Sequence, residues 1–123
     1  MDPHRTDEFA LLPENAAELG LELPAPPTVR RVRTEHVGGH TSALLWGDTS
    51  RSPRLVFLHG GAQNAHTWDS VVLALGVPAL AVDLPGHGHS SWRDDGDYSP
   101  WPNAEAVAHA VRRWAPRAEA VVG

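Results

Sequence analysis

The stretch Arg54 to Gly61, RLVFLHGG, constrains this chain more than any other. Leu55, Val56, Phe57 and Leu58 form a short continuous apolar run, too short for a helix and rich in strand-favouring residues. That is the pattern of a strand covered on both faces, as in a parallel sheet. His59-Gly60-Gly61 then frees the backbone, because adjacent glycines permit positive φ and let a ligand approach the main chain closely. Ala62 to Asp69 reads as a loop entering a helix. A strand, a glycine turn and a helix start in succession aim peptide N–H groups at a developing negative charge.

The flanking chain supplies neighbours for this strand. Val29 to Val37 mixes apolar and charged residues on both sides of an alternating pattern, as an exposed edge strand does. Gly38-Gly39 reads as a hairpin turn, and Ser42 to Trp46 as the returning strand. Asp48 to Pro53 is a polar connector. After the glycine loop, Thr67 is expected to cap a helix with Val71, Val72, Ala74 and Leu75 on its apolar face and Gly76 at its end. Ala79 to Val82 follows as a parallel strand, placed beside Leu55 to Leu58 by the right-handed crossover rule. The expected neighbours of Leu55 to Leu58 are thus Ala79 to Val82 and Ser42 to Trp46. Arg93 to Tyr98 reads as a solvated loop, and Ser99-Pro100 opens a helix over Ala104 to Ala115. There Ala104, Val107, Ala108, Val111 and Ala115 recur at helical spacing. Pro116 stops it, and Ala118 to Val122 is a further parallel strand.

Ahead of these elements, residues 1–12 are polar and proline-interrupted, with Phe9, Leu11 and Leu12 as docking candidates. Pro13 to Leu19 reads as a short helix ended by Gly20. Pro24-Ala25-Pro26-Pro27 then forbids helix and marks an extended linker. The expected division is an N-terminal extension over 1–27 and a domain from 28 to 123. A hairpin followed by alternating strands and helices is α/β in class.

Composition narrows the functional classes. Of 123 residues, 41% are hydrophobic and 20% charged, the balance of a globular domain rather than of a disordered chain. A net charge of −5 offers no basic stripe for phosphates, which argues against nucleic acid or an anionic membrane as partners. With no cysteine there is no disulfide framework, thiol nucleophile or thiolate metal site. No segment approaches ~20 apolar residues, and MDPHRTDEFALL lacks the basic end and apolar run of a signal peptide. The expectation is a cytoplasmic protein acting on a small molecule.

Two motifs carry a family resemblance. HGGAQNAHTW at 59 to 68 resembles the HG-x loop, with its later Trp, of the α/β-hydrolases, and DLPGHGHS at 83 to 90 resembles that family's D-x-x-G-x-G-x-S turn. The resemblance covers residues 29 to 123, the first half of that fold. It implies an antiparallel hairpin followed by parallel strands with crossover helices. It also implies that the Gly61 N–H is one of two oxyanion donors, the other coming from the residue after the nucleophile. No G-x-S-x-G occurs in the sequence. Ala120-Val121-Val122-Gly123 resembles the strand feeding that elbow, with Gly123 at the motif's first glycine. The expectation is an N-terminal half that ends before the elbow and has the C-terminal half of the same domain as its partner. The completed protein is expected to hydrolyse an ester, thioester, amide or carbon–carbon bond, whereas this chain alone is expected to be inactive. The alternatives are a haloperoxidase-like or lyase-like member of the fold and a non-catalytic binding or scaffold protein. An epoxide hydrolase fits less well, since Ala62 and Pro85 depart from its HG-x-P and D-x-R-G-x-G patterns.

Among individual residues, Gly61 is the expected catalytic group, with Gly60 and Trp68 as substrate-binding candidates. His59 reads as part of the loop architecture rather than a base. Asp83 reads as a turn-capping carboxylate that serves Gly86 and Gly88. His87 and His89 flank Gly88 and, with His59, raise a metal site, but the glycine turn explains them without one. No metal and no cofactor is expected.

Overall fold

The computed structural model describes residues 7–23, 27–48 and 50–123, so residues 1–6 and most of the proline linker lie outside it. The chain runs α1 (Leu12–Glu18), β1 (Val29–His36), β2 (Gly39–Trp46), β3 (Leu55–Leu58), a 3-10 turn (Ala65–Trp68), α2 (Asp69–Leu75), β4 (Ala79–Val82), α3 (Pro100–Trp114) and β5 (Ala120–Val122). The five strands form one mixed sheet in the order β1-β2-β4-β3-β5. β1 and β2 are an antiparallel hairpin, and β2 lies antiparallel to β4 with Ala43 opposite Val82. β3 is parallel to both β4 and β5, Leu55 pairing with Ala79 on one side and Ala120 on the other.

The apolar run therefore lies inside the sheet, Val56 and Phe57 buried, as its sequence requires. One expected neighbour needs correction: β2 borders β4, not β3. The crossover through α2 inserts β4 between the hairpin and β3, and the crossover through α3 then places β5 on β3's far side. β3 is thus where the strand order reverses, and in such sheets ligands bind beyond the carboxyl ends of the strands at that point.

Two apolar layers sandwich the sheet. On one face Leu44, Trp46, Phe57, Ala79 and Ala81 meet Val72 and Leu73 of α2 and Leu12 and Ala16 of α1. On the other, Val32, Ala43, Leu45, Val56, Leu80 and Val82 meet Val107, Val111, Trp114 and Ala115. The alternation of side chains along each strand divides them between these layers. α1 begins one residue before the expected Pro13, and Gly20 follows it at φ 70°. Phe9 and Leu12 dock as anticipated, whereas Leu11 is exposed.

Local corrections follow from packing. The hairpin turn is Val37-Gly38, and Gly39 already pairs with His36. The buried face of α2 is Asp69, Val72 and Leu73, with Val71 and Leu75 exposed, because a short helix can turn only one narrow stripe toward the sheet. Gly76 ends α2 in the left-handed conformation at φ 63°. In α3, Ala106 and Ala110 are buried while Ala104 is exposed. Small residues face the sheet there because the helix backbone comes close enough to β2 for Thr41 Oγ1 to donate to the Ala106 carbonyl at 3.2 Å. No helix among the described residues is long and apolar enough to cross a membrane.

Candidate active site

The loop leaving β3 is held by side chains that bond several of the polar groups at its two ends. His59 is buried, and its Nε2 accepts the Leu84 N–H at 2.9 Å. That bond leaves the ring proton on Nδ1, which lies 2.8 Å from the Gly60 carbonyl oxygen and donates to it. Both ring nitrogens are occupied, so His59 joins the two motif loops and has no free nitrogen with which to take a substrate's proton. The Gly60 N–H donates to Gln63 Oε1 at 2.9 Å. Gly61 differs: its N–H has no acceptor among the described residues, and no heavy atom would crowd a Cβ built on it. The next residue, Ala62, is held at φ 59°, a left-handed conformation that an L-residue adopts at a cost. Chain reversal at Ala62 thus follows directly on the open Gly61 N–H.

Beyond the turn, Asn64 rather than Thr67 caps the helical segment. Its Oδ1 accepts the His66 N–H at 2.9 Å and its carbonyl accepts the Thr67 N–H at 3.0 Å. The cap sits earlier than expected because a 3-10 turn, Ala65–Trp68, precedes α2. Trp68 packs down against Phe57, ring centroids 5.0 Å apart, so its ring forms part of the core beneath the loop.

Asp83, fully buried at the carboxyl end of β4, ties the two motifs together. Its Oδ1 accepts the Ala65 N–H at 2.7 Å, and its Oδ2 accepts the His89 N–H at 3.0 Å and Arg31 Nη1 at 2.5 Å. The carboxylate thus reaches six residues forward and across to the other loop, farther than a simple turn cap. Ser90 Oγ donates to the Asp83 carbonyl at 2.6 Å and accepts the Ser42 N–H at 2.8 Å, which binds the turn to β2. Gly88 is required here because a Cβ would stand 2.3 Å from Asp83 Cγ. Gly86, at φ 76°, would meet Tyr98 Cε1 at 2.8 Å. His87 lies 5.0 Å from His59 between ring centroids, but among the described residues no three histidine or carboxylate groups are placed to hold a metal ion.

A second set of residues escaped the sequence reading. Glu8, Arg31, His66 and Asp69 form a linked charge group behind the loop. No local pattern marks it: Arg31 looks like any charged residue of an edge strand, and Glu8 lies in a segment without periodicity. Burial tends to raise the Glu8 carboxyl, but hydrogen bonds from Arg31 and His66 outweigh it and hold it below its ordinary value. The hydrogen bond to Asp69, aided by Glu8 and opposed by desolvation, raises His66. Concavity alone would also have misled. A cleft of about 270 Å³ lined by Leu23, Trp46, Val72 and Pro78 opens at the amino ends of the parallel strands, remote from Gly61.

The sequence model of the Alpha/beta hydrolase family matches residues 55–123. The chain is 59% identical over 117 residues to esterase Rv0045c of Mycobacterium tuberculosis, a match covering 95% of this chain and 37% of that protein. It is 33% identical over 85 residues to the pimeloyl-[acyl-carrier protein] methyl ester esterase of Vibrio cholerae, covering 68% of this chain and 31% of that protein. A solved structure of the M. tuberculosis esterase Rv0045c aligns with a TM-score of 0.83 and 58% identity, over 96% of this chain and 38% of the other. The chain thus spans well under half the length of these relatives.

Proposed function

Because this chain belongs to the alpha/beta hydrolase family, we propose that it is the oxyanion-stabilising part of an ester hydrolase whose nucleophile, acid and base come from a C-terminal portion of the same domain. One observation carries the reading. At the carboxyl end of the central strand the His59 ring and the Gly60 N–H are engaged by protein partners, whereas the Gly61 N–H, at the turn itself, has no acceptor among the described residues. A donor held open on a pre-shaped turn stabilises a tetrahedral oxyanion without reorganising when charge develops. The esterase names of its relatives support ester hydrolysis, and their greater length supports a second portion. In this reading residues 28–123 are the first half of the domain and 1–27 its extension. The substrate is a small molecule held near Gly60 and Gly61, and the location is cytoplasmic.

The test is activity by parts. The chain alone should show no turnover of a p-nitrophenyl ester above background, and addition of a C-terminal portion carrying an elbow serine, a late acid and a late histidine should produce it. In the completed protein, Gly61→Pro removes the N–H and should lower kcat by ~10²–10³. Turnover by the chain alone that survives repurification, or a Gly61→Pro variant with unchanged kcat, overturns the proposal. A chain that stays monomeric, folds cooperatively and ignores the C-terminal portion supports the scaffold reading instead.

A further inference from the structure

Glu8 stands in a turn ahead of the domain, yet its carboxylate reaches the far side of the glycine loop. Its Oε1 accepts Arg31 Nη2 at 2.6 Å and His66 Nε2 at 2.8 Å, and its Oε2 accepts Arg31 Nε at 3.4 Å. Arg31 extends the chain of bonds to Asp83, and Asp83 accepts the N–H of Ala65, the residue before His66. A closed circuit results: Glu8, Arg31, Asp83, the Ala65 amide, His66 and back to Glu8. His66 Nδ1 also bonds Asp69 Oδ2 at 2.7 Å, and the Phe9 ring lies 6.0 Å from the imidazole. All these contacts converge on the first turn after Gly61. Linked charge-assisted bonds of this kind hold backbone more firmly than isolated surface pairs do.

We propose that Glu8 is a positioning residue for the glycine loop, holding the turn at Ala65 and His66, and with it the direction of the Gly61 N–H, through His66 and through Arg31 and Asp83. The effect on catalysis rests on the function proposed above; the effect on loop order does not. The groups facing His66 are Glu8 from the N-terminal turn and Asp69 from α2, while Arg31 of β1, Asp83 and His89 face Glu8 or its partners. Two carboxylates on one imidazole favour its cation, so the circuit is complete when His66 is protonated and Glu8 ionised, and it weakens as pH rises and His66 loses its proton.

The test compares Glu8→Gln with Glu14→Gln, an exposed control on α1, in the protein as isolated. Amide exchange across 61–67 and the titration of His66 followed by NMR are the readouts. In Glu8→Gln, exchange at Ala65 and His66 should rise roughly tenfold, equivalent to about 1.4 kcal/mol. The His66 midpoint should move down, and amides of β3 and β4 should not change. The control should match the parent chain in all three. Where esterase activity is present, kcat should fall in Glu8→Gln with a smaller change in KM. Unchanged exchange at Ala65 and His66, or an equal rise in β3 and β4 that marks general destabilisation, overturns the proposal. A specific rise in exchange, with no esterase activity once the parent chain is completed by a C-terminal portion, keeps the positioning role and removes the proposed function.

Discussion

Gly88 and Asp83 show how one position dictates another. The carboxylate of Asp83 fills the volume a Cβ on Gly88 would need, and Gly88 also sits at φ 52°. Gly88→Ala must therefore strain the backbone by about 1–2 kcal/mol and also displace a buried anion that holds Arg31, Ala65 and His89. We expect a loss of stability above that strain alone, read as a lower midpoint in urea denaturation. A variant within ~0.5 kcal/mol of the parent would show that Asp83 moves freely, contrary to its three bonds. Phe57 makes the comparable case in the core. It is 2% exposed and packs on Trp68, so Phe57→Ala should cost ~3–5 kcal/mol by the same measurement.

Among the elements, β5 is an exposed apolar edge, and α3 buries a different stripe from the one its spacing suggests. β5 is apolar, yet Val121 is 61% exposed, because among the described residues the strand pairs with β3 on one side only. Exposed apolar edges recruit other strands. Val121→Lys should make the isolated chain less prone to aggregate, measured by light scattering, and should also weaken capture of a C-terminal portion. Lower aggregation with undiminished capture would place that portion elsewhere. On α3, Ala110 is fully buried and close to the sheet, so Ala110→Leu should destabilise by about 1–3 kcal/mol through overpacking, whereas the same change at exposed Ala104 should be nearly neutral.

For the whole molecule, the His66 and Glu8 shifts set a pH window. His66 is raised in the folded state, so its contribution is complete below its ordinary value of 6.5 and is lost as pH rises through the higher folded value. Glu8 is lowered, so its contribution is complete above its ordinary value of 4.5 and is lost as pH falls through the lower folded value. Both act together between 4.5 and 6.5. Thermal midpoints should therefore decline on going from the upper end of that window to mildly alkaline pH, and His66→Asn should flatten the decline. An equally steep decline in His66→Asn would assign it to other groups.

The sequence by itself determined the class of the fold, the hairpin ahead of parallel strands, the buried run at Leu55 to Leu58 and the two glycine motifs at the carboxyl ends of β3 and β4. These are legible because apolar period, glycine spacing and proline position act over a few residues. It also pointed to His59 and Asp83 as framework rather than chemistry; in the structure His59 bonds Leu84, and Asp83 bonds Ala65 and His89. Only the tertiary structure decided that β4 separates β2 from β3, since hydrophobic runs carry no record of which neighbour they pair with. It alone decided which face of α2 and α3 is buried, because short alanine-rich and valine-rich helices offer several nearly equal stripes. Glu8, Arg31 and His66 remained invisible for the same reason. Their partners lie 23 and 58 residues apart in the chain, and a charge acquires a partner only when folding brings one to it.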